Sequence, residues 1–136
     1  MFIDGEECFC YRTVYNEDHV KSAKPADSGV PGVSVDDAII AGLYRVTAAP
    51  GGRPVQTRLL ASGPAVRSAR QAAARLAANR GIAAEVWSVT SWKQLREDAL
   101  DAQRPHRAYP DQPRRVSHLR RAFGDNPSPS SRSVTT

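Results

Sequence analysis

The feature that most restricts how this chain can fold is a strand, a helix and a second strand in immediate succession between residues 55 and 89. Val55-Gln-Thr-Arg-Leu-Leu60 reads as a strand. Ala61-Ser62-Gly63-Pro64 is a tight turn whose proline is placed to open a helix. Val66, Ala69, Ala73, Leu76 and Ala77 then recur at helical spacing, and Gly81 follows as a stop. Ile82-Ala-Ala-Glu-Val-Trp-Ser-Val89 is a second, apolar strand. The succession is a βαβ unit with a right-handed crossover, so the fold class is α/β. At 136 residues with 40% apolar content, the chain holds a single small core.

Around this unit the signals are weaker. Cys8-Phe-Cys-Tyr-Arg-Thr-Val-Tyr15 predicts an N-terminal strand, and residues 21–34 are broken by prolines and glycines into a loop or linker. Ser34 before Asp36 and Asp37 starts a short helix at about 35–41, because a hydroxyl can accept from the free first-turn amides. Leu43-Tyr-Arg-Val-Thr47 is a further strand, and the turn Ala49-Pro-Gly-Gly-Arg-Pro54 makes it a candidate antiparallel neighbour of strand 55–60. Ser91 begins a helix with Trp92, Leu95, Ala99 and Leu100 expected on its buried side. From Arg104 onward the periodicity fails, and residues 120–136 are expected to be disordered.

Charge excludes one attractive class. Residues 1–102 balance 12 Lys/Arg against 12 Asp/Glu, whereas residues 103–136 carry seven Arg against Asp111 and Asp125, so the net +5 sits entirely in the tail. A balanced body with a basic tail builds no continuous face for phosphates, and nucleic acid is not the expected partner, even with Tyr109 and Phe123 among the arginines. No apolar run is long enough for a transmembrane helix and no secretory leader is seen, which makes the cytoplasm the default location.

Chemistry-bearing patterns are sparse. Cys8 and Cys10 lie one residue apart, and His19, His106 and His118 show no zinc-type spacing with them, so no metal is expected. There is no GxGxxG or GxxxxGK. The Ser62-Gly63 turn therefore reads as a tight turn before it reads as an anion site. Glu17 ends a predicted strand, where ligands collect in open α/β sheets, but it has no evident partner; a solvated turn carboxylate is the plainer account. Trp87 and Trp92 flank the second strand-to-helix turn, and aromatics of that size anchor a core or a subunit interface. Both are interface candidates, Trp92 the better one.

Four blocks carry a family resemblance: Phe9-Cys-Tyr-Arg-Thr-Val-Tyr-Asn-Glu17, Ala41-Gly-Leu-Tyr-Arg45, Val55 to Gly63 ending LLASG, and Glu85 to Leu100, EVWSVTSWKQLREDAL. In order and spacing they resemble the homodimeric type of pyruvate dehydrogenase decarboxylating component, acetyl-transferring, which has a transketolase-like architecture. The likeness covers residues 1–119 and thins after 102. It implies that 1–20 corresponds to the end of a pyrimidine-binding domain, 21–37 to a linker and 38–119 to a partial, three-layered transketolase C-terminal-like domain, with 120–136 a basic tail outside it.

The resemblance further implies that the intact enzyme uses thiamine diphosphate and magnesium to decarboxylate pyruvate. The Gly-Asp-Gly and paired-Asn elements of the family are not found here, so the expectation for this chain alone is a truncated homologue with no bound cofactor and no catalysis. Asn16-Glu17 matches a family pair near the active-site channel, which makes Glu17 a catalytic candidate in an intact enzyme only. Some members place a histidine where this chain has Val20, with His19 one step early. Implied partners are a second copy, as a homodimer, or a full-length pyruvate dehydrogenase subunit on which the chain docks as an interaction module.

Overall fold

The computed structural model describes residues 23–108 and 115–124, with backbone alone at 105–108. The elements in chain order are α1 (Val35–Ala41), β1 (Leu43–Thr47), β2 (Thr57–Ala61), α2 (Ala65–Arg80), β3 (Ala84–Val89), α3 (Trp92–Ala108) and α4 (His118–Phe123). The predicted N-terminal strand at 8–15 lies outside the described residues. No described helix is long and apolar enough to cross a membrane.

Local signals explain the helix ends. Ser34 caps α1 by accepting from the Asp37 N–H at 3.1 Å. Gly42 closes the helix in the left-handed region at φ 105°, and a Cβ built there would stand 2.8 Å from the Ser91 carbonyl, so only glycine fits. Gly81 ends α2 in the same way, its N–H turned back to the Ala77 carbonyl at 3.2 Å.

The sheet has the order β1-β3-β2. β2 and β3 are parallel with Thr57 opposite Ala84, as expected of strands joined through α2. β1 is antiparallel to β3, not to β2. The expectation that 43–47 and 55–60 are neighbours is thus corrected. β3 is buried along its whole length, and placing it between the other two covers both its edges and leaves the half-exposed strands outside.

Alternation along β3 separates two cores. Ala84 and Val86 face α2, where Ala73 is buried with Ala69, Leu76 and Leu59 packed around it. Trp87 and Val89 face the other way, into a cluster with Val30, Leu43 and Leu95. The result is three layers, with α2 on one side of the sheet and α3 and α4 on the other.

Three further expectations change. The segment read as a linker supplies core residues: Ser28 and Val30 are buried, and the Ser28 hydroxyl donates to the Val33 carbonyl at 2.7 Å. Residues 120–123 are helical rather than disordered. Ser117 caps α4, and Leu119, Ala122 and Phe123, at helical spacing, pack on the Trp87 cluster. In α3 the inward stripe is Leu95, Asp98, Ala99 and Ala102, so Trp92 and Leu100, expected to be buried, fall outside it at 56% and 37% exposed.

Candidate functional site

The densest group of polar side chains lies on the α4 side of the sheet and is centred on Glu85. Strand alternation puts Glu85 on the same face as Trp87 and Val89, in the middle strand, where it is 6% exposed. Its outer strands each supply a guanidinium. Arg45 of β1 donates to Oε1 at 3.1 Å, and Arg58 of β2 donates to Oε2 at 3.3 Å. The Trp87 indole N–H donates to Oε2 at 3.1 Å. Arg45 also reaches Asp27, and Arg58 lies 4.9 Å over the Phe123 ring. That ring meets Trp87 edge-on at 5.0 Å. Two carboxylates and two guanidiniums balance, and both oxygens of Glu85 are engaged, so this carboxylate joins three strands rather than standing ready as a general base.

Asp27 sits at the exposed end of the group. Its carboxyl is held below its ordinary value of 3.8, chiefly by the Gly29 N–H it accepts; desolvation works the other way, and the charge and hydrogen bond of Arg45 lower it further. A group depressed in the folded state contributes stability above 3.8 that is lost as pH falls through the folded value. Acid unfolding curves of Asp27→Asn are therefore expected to be flatter than wild type below that pH and parallel to it near neutrality. An unchanged acid limb would show that Asp27 titrates alike in both states.

An open depression of about 420 Å³ runs beside Asp27 and Arg45 along residues 29–33. Its two charges already pair with each other. A second polar group anchors α4. Asp98 of α3 accepts from the His118 N–H at 2.6 Å and from Arg115 at 2.8 Å, while His118 Nε2 donates to the Leu43 carbonyl at 2.8 Å.

The residues singled out from sequence are scattered. Glu17, Cys8, Cys10 and His19 lie outside the described residues. Trp87 is 1% exposed, so its standing as an interface candidate is corrected to a core residue: its ring fills the space between the sheet and Phe123. Trp92 is exposed, and its indole N–H donates to the Ser62 hydroxyl at 2.9 Å. The Ser62-Gly63 turn does open α2, but the Ala65, Val66 and Arg67 amides bond back to the Ser62, Gly63 and Pro64 carbonyls at 3.1–3.2 Å. These three amides are thus engaged within the first turn of α2.

Sequence reasoning passed over Glu85, Arg45 and Arg58. The available signal was one carboxylate inside an otherwise apolar strand, a position where charge persists only when paired.

Comparison with known proteins agrees with this architecture. The pyruvate dehydrogenase E1 component of Mycolicibacterium smegmatis is 36% identical over 126 residues, which are 93% of this chain and 13% of that protein. That of Mycobacterium tuberculosis is 39% identical over 118 residues, 87% of this chain and 12% of the relative. That of Pseudomonas aeruginosa is 32% identical over 129 residues, 95% and 14% respectively. The chain thus spans 12–14% of the length of these relatives. The model of the transketolase-like TK C-terminal domain matches residues 42–125, from Gly42 through β1 to just past α4, and the chain belongs to that family.

Proposed function

We propose that this chain is a truncated homologue of the pyruvate dehydrogenase E1 component, a structural, C-terminal-type module that does not decarboxylate pyruvate by itself. The observation that carries this reading is the pairing of a match across 87–95% of this chain with only 12–14% of each relative. The site chemistry supports it. The buried carboxylate, its two arginines and three amides at the start of α2 are engaged within the fold, which fits a supporting domain better than a reaction centre. In a longer enzyme of this class, thiamine diphosphate and magnesium would be held by other segments, and Glu17 would face the substrate channel.

Calorimetric titration of the chain with thiamine diphosphate and Mg²⁺, run beside an assay of pyruvate decarboxylation, tests the proposal. The expected result is no saturable heat and no turnover. Saturable binding with turnover that Glu17→Ala abolishes would overturn it.

A second reading, docking on an intact pyruvate dehydrogenase E1 subunit, is favoured by the exposed flank of α3, where Trp92 and Leu100 lie unburied. It predicts co-elution with the Mycolicibacterium smegmatis protein at micromolar mixing, weakened by Trp92→Ala. Separate elution would remove it.

A further inference from the structure

We draw no further inference here: the strongest candidate, the surface patch formed by the exposed arginines Arg67, Arg75 and Arg80 of α2, carries none because nothing in the structure shows what covers it.

Discussion

Trp87→Ala is expected to lose about 3–5 kcal/mol of folding stability, the usual range for truncating a large buried aromatic. Typical domains hold about 5–15 kcal/mol in total, and a small core stands at the low end of that range, so this one change is expected to bring the chain close to unfolding at room temperature. Three losses coincide. The cavity opens between β3 and α4, Phe123 loses its edge-on partner, and Glu85 loses the indole donor. Trp87→Phe separates them, since a phenyl ring keeps most of the packing and removes the N–H; its expected cost is about 1.5–3 kcal/mol, that of one hydrogen bond to a charged group. Trp92→Ala is expected to stay within about 1 kcal/mol, because that side chain is already half in water. Urea unfolding followed by far-ultraviolet circular dichroism gives the ordering. Equal costs at the two tryptophans would mean that the α4 side of the sheet is not the principal core.

This contrast shows where the sequence was legible. The ends of α1 and α2, the βαβ unit and the start of α3 depend on residues within a few positions of one another, such as Ser34 with Asp37 and Gly81 after Leu76, and these were readable. The family was readable as well, because EVWSVTSWKQLREDAL is long and specific. Sheet order was not. That β3 enters between β1 and β2 is decided by which strand buries both faces, and Arg45 meets Glu85 across forty residues. α4 was lost for a related reason: its short apolar pattern sits among arginines, and only Trp87, far back in the chain, shows what Phe123 packs against. Of the candidate site, the buried tryptophan was visible, but the carboxylate it holds was hidden inside a strand read simply as apolar.

Glu85→Ala is expected to cost about 3–5 kcal/mol, as is usual when one member of a buried ion pair is removed and its partner is left without a counter-charge. The two arginines do not suffer equally. Among the described residues Arg45 keeps Asp27, whereas Arg58 keeps only the Phe123 ring. The lone Arg58 charge is therefore the larger part of the penalty, and removing it as well is expected to restore stability: Glu85→Met with Arg58→Met should be more stable than Glu85→Met alone. Arg58→Met by itself is expected to cost less, about 1–2 kcal/mol, since Glu85 still accepts from Arg45 and Trp87. A double-mutant cycle in urea measures the coupling, and its size should change little between low and high salt because the group is shielded from solvent. Additive costs would instead show that Arg58 swings into water once Glu85 is gone. In that case the network orders the three strands without adding to the stability of the sheet.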